Sequence, residues 1–566
     1  MDNMYAIEKF KKEVKEIVSD IDKEIVKYIQ SPKRFEAAMA LPCFVVAKKQ
    51  GKSPQAVAEE LAKKIRKKIK KSSLVADVKA SGPYVNFFIN YKTFSGCVLN
   101  EIIERNEKYG ELPDKKEKIM IEFSNPNPCK AMHIGHARTT FLGDSLARIM
   151  SFAGYDVIRA NYYNDMGKQV AKEVLAYSMW GKGGPTKKPD QWLADLYVKL
   201  HKEGDEVIKK ADEILFEIEM NKNKKWIEIQ KKVVGLALKG FKETYKRLGI
   251  SFDVEIRESE HRQRGKELVQ QALKMGVAFK SNEGTVVADL EKYGMPSCVI
   301  LRSDGTGVYY TSDLGTTEYK FKKFGLDKSI WVVGEDQKLY FKQLFKILEL
   351  LGYKWAKNCI HLSYGMVTLK GKKMSSRKGA FITIDEIMDE LKELAKKEIE
   401  KKNPSLKDKD EVAEKIGIGA FKYAILRIEP NHVVDFNPEA VTRFEGDTGP
   451  YLQYTHARAS SILRKAEKEI KSKNVKNIDL ESEKEKEIIK KLSEFPEVVN
   501  KSSEELKPHQ IAGYLLELSS LFNEYYHSTK VIGSEKEQER LVLVEAVRIV
   551  LRNGLNLLGI DAPEEM

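Results

Sequence analysis

The sequence predicts a multi-domain α/β protein made of a small α+β unit, a Rossmann-like unit with a parallel sheet and a helical insertion, and an all-α bundle. Its 566 residues exceed what one hydrophobic core usually serves. Strand and helix patterns alternate between residues 116 and 390, as in a doubly wound parallel sheet. Beyond about residue 405 the pattern is almost wholly helical. We therefore place the three units at residues 1–115, 116–440 and 441–566.

The N-terminal unit combines two amphipathic helical patterns with one β pattern. Helical periodicity covers residues 10–29 and 57–69, and the outer face of the second pattern is rich in lysine. Residues 81–89 alternate between apolar and polar positions and carry aromatic side chains, as strands do. Two interpretations stay open: a phosphate-binding helix beside a base-stacking strand, or a solvated helix face beside an ordinary core strand.

The central unit begins with a hydrophobic strand pattern at residues 118–123. A loop interrupted by Pro126 and Pro128 follows, and then a helical pattern. A long, highly charged helical stretch at about 199–248 predicts an insertion. Strand patterns then return at residues 285–288, 297–301 and 329–333. The sheet is therefore expected to resume after the insertion.

Composition limits the partners and the compartment. The net charge of +14, from 98 basic against 84 acidic residues, suits an anionic polymer as partner, although a lysine- and glutamate-rich proteome of a heat-adapted organism is an equal alternative. The five cysteines are scattered, so neither a zinc site nor a disulfide framework is expected. The N-terminus lacks the apolar core of a signal peptide, and the sequence has no 18-residue apolar run. A cytoplasmic protein without membrane contact is expected.

Two short segments, His-Ile-Gly-His at 133–136 and Lys-Met-Ser-Ser-Arg at 373–377, indicate the two halves of one site for a nucleoside triphosphate. The first opens the helical pattern that follows the first strand of the central unit. A helix N-terminus offers phosphate its unpaired N–H groups and a partial positive charge. His133 and His136 would lie on one face of the first turn, and Gly135 would let the nucleotide approach the backbone.

These two segments resemble the HIGH and KMSKS signatures of class I aminoacyl-tRNA synthetases. The resemblance implies ATP as a substrate, with Mg²⁺ that travels with the ATP rather than in a protein cage. The catalytic residues it implies are Lys130, His133, His136 and Lys373. The residues it implies for ATP binding are Lys130, His133, Gly135, His136, Lys373, Met374 and Ser375.

One position departs from the family pattern. Where the KMSKS signature has a second lysine, this chain has Ser376, so one cation for the pyrophosphate is missing there. Lys130, three residues before His133, is the expected replacement, and the resemblance supports such an arrangement. Arg377 and Lys378 are less favoured alternatives, because they could instead contact tRNA or solvent.

The charge of the second substrate follows from residues expected beside the nucleotide, at the carboxyl ends of the central strands. Acidic and polar side chains gather there: Glu122, Asn127, Tyr309, Asp313 and Gln337. Such a lining suits a cation. A guanidinium presents a planar fork of donors that a carboxylate accepts at two points, and a tyrosine or glutamine can take the remaining donors.

Longer strings resemble arginyl-tRNA synthetases, and the likeness covers essentially the whole chain. The strings are Glu-Phe-Ser-Asn-Pro-Asn at 122–127, Asn-Asp-Met-Gly-Lys-Gln at 164–169, Tyr-Tyr-Thr-Ser-Asp at 309–313 and Gly-Pro-Tyr-Leu-Gln-Tyr-Thr-His-Ala-Arg at 449–458. The resemblance implies activation of L-arginine to arginyl-adenylate with release of pyrophosphate, and transfer to the 3′-terminal ribose of tRNA(Arg). It also implies that Glu122, Asn127, Tyr309, Asp313 and Gln337 contact arginine.

The same resemblance gives the flanking units roles in tRNA binding. The N-terminal unit would bind the tRNA elbow, with Tyr84 and Asn86 as contacts to the D-loop, and the C-terminal helices would bind the anticodon. A monomer is expected. The identity elements of the tRNA, and whether activation of arginine waits for tRNA, stay open.

Three other functions compete with this interpretation. A synthetase for glutamine, glutamate or lysine would share the fold, but an acidic substrate would need basic residues where Asp313 stands. A small-molecule nucleotidyltransferase can carry a similar histidine motif, but it would not need the basic N-terminal unit or the helical C-terminal unit. A noncatalytic RNA-binding relative would be expected to lose His133, His136 or Lys373, and all three are present.

Overall fold

The computed structural model describes residues 4–30, 37–70, 73–369, 382–466 and 478–566. The predicted fold class is confirmed, because an α+β unit, a unit with a parallel sheet and a helical bundle follow one another along the chain. The second signature segment, with Lys373, Met374, Ser375, Ser376, Arg377 and Lys378, lies outside the described residues.

The N-terminal unit is a three-stranded antiparallel sheet covered by helices. Its elements are α1 (Ala6–Ser19), β1 (Met39–Pro42), α2 (Phe44–Gln50), α3 (Pro54–Arg66), β2 (Val75–Ser81), β3 (Tyr84–Ile89) and α4 (Tyr91–Arg105). Strand β3 lies between β1 and β2. Phe10, Phe87 and Phe94 are fully buried and form part of the core between sheet and helices.

Three local features of this unit differ from the sequence prediction. The first helix ends at Ser19 rather than at residue 29, and a turn in which Asp22 accepts the Glu24 N–H at 2.8 Å follows it. The second helix ends at Arg66 rather than at residue 69. The predicted β segment 81–89 is the second half of a hairpin, since Gly82 has φ +55° and turns the chain between β2 and β3.

A five-stranded parallel sheet forms the centre of the molecule. The first half of this unit contains β4 (Lys118–Glu122), α5 (Ile134–Phe152), β5 (Asp156–Tyr163), α6 (Lys168–Trp180), α7 (Pro189–His201), α8 (Asp205–Glu219), α9 (Lys224–Leu248) and β6 (Val254–Arg257). The second half contains α10 (Glu258–Lys274), β7 (Ala278–Lys280), β8 (Val286–Ala288), β9 (Cys298–Leu301), α11 (Tyr309–Phe324), β10 (Lys328–Gly334), α12 (Lys338–Leu350), β11 (Cys359–Tyr364) and β12 (Val367–Leu369). The order of the sheet is β11-β10-β4-β5-β6.

Two of the predicted strands do not extend this central sheet. The segments at 285–288 and 297–301 become β8 and β9 of a separate antiparallel sheet with β7. Short connections allow only antiparallel neighbours, whereas a parallel pair needs a crossover of a dozen or more residues. The periodicity therefore predicted that these segments are strands, but it did not predict which sheet they join.

The predicted insertion is helical, but it is not one helix. Helices α6 to α9 all lie between the neighbouring strands β5 and β6. The stretch at 199–248 is divided at Gly204, with φ +91°, and at Lys222, with φ +53°. The insertion therefore folds back on itself and packs against the central unit.

Within residues 382–466 and 478–566, the C-terminal part is helical apart from one short strand. Its elements are α13 (Ile384–Lys402), α14 (Lys409–Leu426), β13 (Val434–Phe436), α15 (Pro438–Val441), α16 (Gly449–Ala466), α17 (Glu483–Glu505), α18 (His509–Ser528) and α19 (Glu537–Leu557). Strand β13 pairs in parallel with β12. The buried Arg138 of α5 donates to the carbonyls of Glu429 and Pro430 at 2.8 and 3.0 Å, which ties the helix after the first signature to the C-terminal part.

None of the helices in the described ranges is both long enough and apolar enough to cross a membrane.

Candidate active site

A sharp turn leads from β4 toward α5. Ser124 and Asn125 have φ of +74° and +46°, which is uncommon for residues that carry a side chain. The Asn125 side chain holds the turn, because its Oδ1 accepts the Tyr162 N–H at 2.9 Å and its Nδ2 donates to Glu122 at 3.2 Å. Strained backbone persists where surrounding bonds hold it, and it is concentrated at functional sites.

The two signature histidines cap the N-terminus of α5. Nδ1 of His133 accepts the Gly135 N–H at 3.1 Å, and Nδ1 of His136 accepts the His133 N–H at 3.1 Å. The centroids of the two rings are 4.0 Å apart. The rings therefore lie side by side on the first turn, as their spacing in the sequence predicts.

Both histidines are neutral near pH 7. Burial, together with the positive charge of Lys130, lowers the pKa of His133 to about 4. Burial also holds the pKa of His136 well below its usual value, with smaller contributions from His133 and Lys130. Because each Nδ1 accepts a backbone N–H, each neutral ring carries its proton on Nε2. Each ring therefore has an Nε2–H group that can donate to a phosphate oxygen.

Gly135 and Lys130 complete this half of the site. A Cβ at position 135 would lie 2.9 Å from Cε1 of His133, so any side chain there would displace the ring. The Lys130 ammonium forms no ion pair or hydrogen bond with the part of the chain that the structure describes. Its charge nevertheless reaches both imidazoles. A cation beside two N–H donors suits a polyphosphate.

A close crossing of α10 and α11 builds the acidic part of the site. A Cβ on Gly265 would lie 1.7 Å from the backbone oxygen of Thr311, and one on Gly315 would lie 2.4 Å from a backbone oxygen of α10. These glycines therefore let the two backbones touch. The crossing brings Glu258, the first residue of α10, near Asp313 of α11, whose negative charge helps to raise the pKa of Glu258.

Asp313 is a desolvated carboxylate at the start of α11. Burial raises its pKa to about 6, and the nearby charge of Glu122 acts in the same direction. A hydrogen bond from the Tyr340 hydroxyl and the positive charge of Lys320 oppose this rise without cancelling it. The remaining shift means that an additional cation at this point would stabilise the ionised form.

Glu122 meets a cation of the protein itself. This last residue of β4 is buried and forms an ion pair with the buried Lys320 of α11. The Lys320 ammonium also lies 4.8 Å from the centroid of the Trp331 ring. Glu122 is therefore held by Lys320 in the structure, a partner that the sequence did not indicate.

The other three predicted arginine contacts lie on separate elements. Tyr309 begins α11 and is 59% exposed. Asn127 lies in the loop before the signature, where its Oδ1 accepts the Cys129 N–H at 3.2 Å. Gln337 follows β10, and its Nε2 donates to Asp336 at 2.8 Å. Among the described residues, no hydrogen bond joins any of these three side chains to Asp313.

Glu258 is a candidate that the sequence reasoning missed. Its Oε1 accepts the Ser312 hydroxyl at 2.8 Å and pairs with Arg262, whereas its Oε2 is buried without a hydrogen-bond partner in the described structure. Burial raises the pKa of Glu258 to about 7 even beside Arg262. Its place directly after β6, at the carboxyl end of a strand, was the available signal. The strand is only four residues long within a charged stretch, which concealed it.

The two predicted tRNA contacts lie on one face of β3. Tyr84 and Asn86 alternate with the buried Val85 and Phe87. The ring of Phe44, which is 50% exposed, meets Tyr84 edge to face with the centroids 5.8 Å apart. The N-terminal unit thus has an aromatic pair at its surface.

Comparisons with known proteins cover nearly the whole chain. The catalytic-domain model of class I tRNA synthetases (R) matches residues 98–437, the arginyl tRNA synthetase N-terminal model residues 5–89, and the DALR anticodon-binding model residues 452–566. An "Arginine--tRNA ligase 1" of Bacillus thuringiensis is 38% identical over 96% of both chains, and an "Arginine--tRNA ligase" of Halothermothrix orenii is 38% identical over 97% of both. The solved Thermus thermophilus arginyl-tRNA synthetase superposes with a TM-score of 0.81 at 29% identity, covering 98% of this chain and 100% of that one.

Proposed function

The chain belongs to the arginyl-tRNA synthetases of class I, and we propose roles for its residues in the reaction of that family. The reaction is the ATP-dependent ligation of L-arginine to tRNA(Arg), which serves translation. The arginine carboxylate attacks the α-phosphorus, pyrophosphate leaves, and a hydroxyl of the 3′-terminal ribose then attacks the acyl carbon, so that AMP leaves. No step needs a nucleophile of the protein. Catalysis rests on positioning and on stabilisation of the charge that develops.

The phosphates of ATP lie at the N-terminus of α5 in this proposal. The neutral His133 and His136 donate through Nε2–H, and Lys130 supplies a cation beside them. Lys130 takes the place of the lysine that the KMSKS pattern would have at Ser376. Lys373, Met374 and Ser375 are assigned to the other side of the nucleotide by the signature alone. Mg²⁺ enters with the ATP substrate.

The guanidinium of arginine lies between α10 and α11 in this proposal. The observation that carries it is the pair Asp313 and Glu258, two carboxylates close to each other whose pKa values are raised to about 6 and about 7. Arg262 and Lys320 do not cancel this rise, and a guanidinium would add positive charge together with a hydrogen-bond donor for the unpartnered Oε2 of Glu258. Glu122 acts indirectly, through its ion pair with Lys320. Tyr309, Asn127 and Gln337 contact the bound arginine.

The flanking units bind tRNA in this proposal. Tyr84 and Asn86 of residues 1–115 contact the elbow. A cavity of about 700 Å³ lies mainly between helices of residues 441–566, with Lys402 of α13 at its edge, and basic and aromatic side chains form part of its lining. The Arg458 guanidinium there lies 4.8 Å from the ring centroid of Tyr454 and 5.3 Å from that of Tyr526. Stacked cations and rings of this kind suit unpaired bases, here those of the anticodon. The protein acts as a monomer in the cytoplasm.

Amino-acid-dependent pyrophosphate exchange tests the choice of arginine. Each of the standard amino acids is offered with ATP, with and without total tRNA, and exchange is expected with arginine alone. Exchange with glutamate, glutamine or lysine in place of arginine would refute the assignment of the acidic pocket. Glu349→Gln is the control variant and should keep the preference for arginine. It removes an exposed carboxylate of α12 that pairs only with Lys346 in the described structure.

A further inference from the structure

The start of α13 is tied to the first signature by the backbone. Thr383 and His133 form an isolated antiparallel bridge, and the Ile384 N–H donates to the Met132 carbonyl at 2.9 Å. The His133 N–H in turn donates to Nδ1 of His136 at 3.1 Å. The position of residues 383–384 therefore bears directly on the placement of both histidine rings.

The helical insertion also contacts the start of α13. Lys188, which precedes α7, donates to Asp385 Oδ2 at 2.9 Å and to Thr244 of α9 at 2.6 Å. It also lies 3.1 Å from Asp190 Oδ1. The Thr244 hydroxyl itself lies 3.2 Å from Asp385 Oδ2. One cation thus joins two helices of the insertion to the first turn of α13.

The charges of this cluster are buried and unequal in number. The side chain of Asp190 is 1% exposed, and those of Lys188 and Asp385 are 15% and 17% exposed. Asp190 fits because α9 has Gly240 opposite it, where a Cβ would lie 2.1 Å from Asp190 Oδ1. Two carboxylates therefore share one lysine, and removal of the lysine would leave two desolvated charges of the same sign near each other.

We propose that Lys188 is a positioning residue for adenylate formation, because it holds Asp385 and, through residues 383–384, sets the backbone of Met132 and His133. The path runs from Lys188 to Asp385, from Ile384 to Met132, and from His133 to the ring of His136. Lys188 touches neither substrate in this role. The helical insertion thereby contributes to the chemistry although it lies outside the parallel sheet.

Lys188→Met tests this role in the full-length protein with tRNA(Arg) present. Small displacements remote from the reacting atoms can cost on the order of 10²-fold in rate, and we expect a loss of this size in single-turnover adenylate formation. The affinity for arginine, measured by calorimetry, should stay at the wild-type value, because the acidic pocket is not in the path. Lys188→Arg keeps the charge and should retain more of the rate.

Asp385→Asn keeps the proposal testable if Lys188→Met folds poorly. This variant leaves Lys188 paired with Asp190 and strands no buried charge, yet it weakens the hold on α13, so adenylate formation should still slow. When Lys188→Met and Asp385→Asn are combined, adenylate formation should be faster than in Lys188→Met alone, because asparagine at position 385 carries no charge. Lys187→Met is the matched control, since Lys187 pairs with the exposed Asp195 at 2.7 Å.

A wild-type rate per active site in folded Lys188→Met, or an equal loss in Lys187→Met, would overturn the proposal. An equal loss of arginine affinity and rate would do so as well. Because this role rests on the proposed function of the two histidines, His136→Ala is measured beside it. If His136→Ala forms adenylate normally, the proposed phosphate site itself is wrong, whereas an impaired His136→Ala with a normal Lys188→Met rejects only the role of Lys188.

Discussion

Replacement of Asp313 by asparagine should separate arginine binding from ATP binding. The variant keeps the shape of the side chain and its hydrogen bond with Tyr340, but it removes the negative charge from the pocket. Loss of one partner of a desolvated charge pair typically costs ~2–5 kcal/mol, which corresponds to a rise in the arginine dissociation constant of roughly 30- to 5,000-fold. The ATP dissociation constant should stay close to wild type.

The pH dependence of arginine binding is a second test of the role of Asp313. The pKa of Asp313 is raised to about 6 in the free protein, so the carboxylate that binds the guanidinium is lost as pH falls through that value. Below it, the arginine dissociation constant should rise about tenfold per pH unit. The histidines cannot cause this change, because the pKa of His133 is about 4 and that of His136 is also strongly lowered. In Asp313→Asn the limb near pH 6 should disappear, and the titration of Glu258 near pH 7 should remain.

The stability of the free protein should change in the opposite direction. A carboxyl whose pKa is raised on folding binds its proton more tightly in the folded state than in the unfolded state. The free energy of unfolding therefore falls as pH rises from about 3.8 to about 6. Above that window the ionised Asp313 is a cost to the fold. Asp313→Asn should therefore have a higher melting temperature at pH 7 than the wild type while it binds arginine more weakly.

Calorimetry of arginine and of ATP binding between pH 5 and pH 8, with thermal unfolding of the same samples, would check all three expectations. An equal weakening of both ligands would place Asp313 outside the arginine pocket. So would an arginine affinity that does not change between pH 7 and pH 5. Glu349→Gln is the control, because it makes the same change of charge at a side chain that is 61% exposed.

Three further sets of substitutions test the remaining assignments. His136→Ala should slow adenylate formation by ~10²–10³-fold with little effect on arginine binding, because its Nε2–H meets the phosphates as charge develops; an unchanged single-turnover rate would disprove that role. Lys130→Ala should cripple activation, and Ser376→Lys in the same chain should restore part of it; normal charging by Lys130→Ala would exclude Lys130 as the replacement cation. Replacing Tyr84 and Asn86 together by alanine should raise the KM for tRNA, since a stacking contact contributes ~1–3 kcal/mol. Arginine binding should not change. A wild-type KM would mean that these side chains of β3 do not contact tRNA.

Much of the site could be predicted because its parts are local in sequence. The strand at 118–122, the turn after it and the histidines at the start of α5 lie within one short stretch, where periodicity and helix-capping chemistry act directly on neighbouring residues. The acidic character of the proposed arginine pocket was also readable, since Glu122 lies in the strand pattern at 118–123 and Asp313 follows the strand pattern at 297–301. The three-unit order followed from the change in periodicity along the chain.

The sequence could not reveal the partners of these residues. Glu122 is paired with Lys320, 198 positions away, and Lys188 with Asp385, 197 positions away. Glu258 reaches Asp313 only because Gly265 lets α10 and α11 touch. Residues so far apart meet through the packing of whole helices, which no local pattern encodes.

By itself, then, the sequence determined the family, the strand–loop–helix order around the first signature and the identity of the amino acid as arginine, because motifs and backbone conformation are set by residues close together in the chain. The tertiary structure decided which carboxylates remain available to a ligand and which are neutralised by the protein. That distinction depends on burial and on charges brought together across the fold, since an ionised group out of water is stable only beside a partner. Burial keeps the pKa values of Asp313 and Glu258 raised although Lys320 and Arg262 lie near them, whereas Glu122 forms a buried ion pair with Lys320.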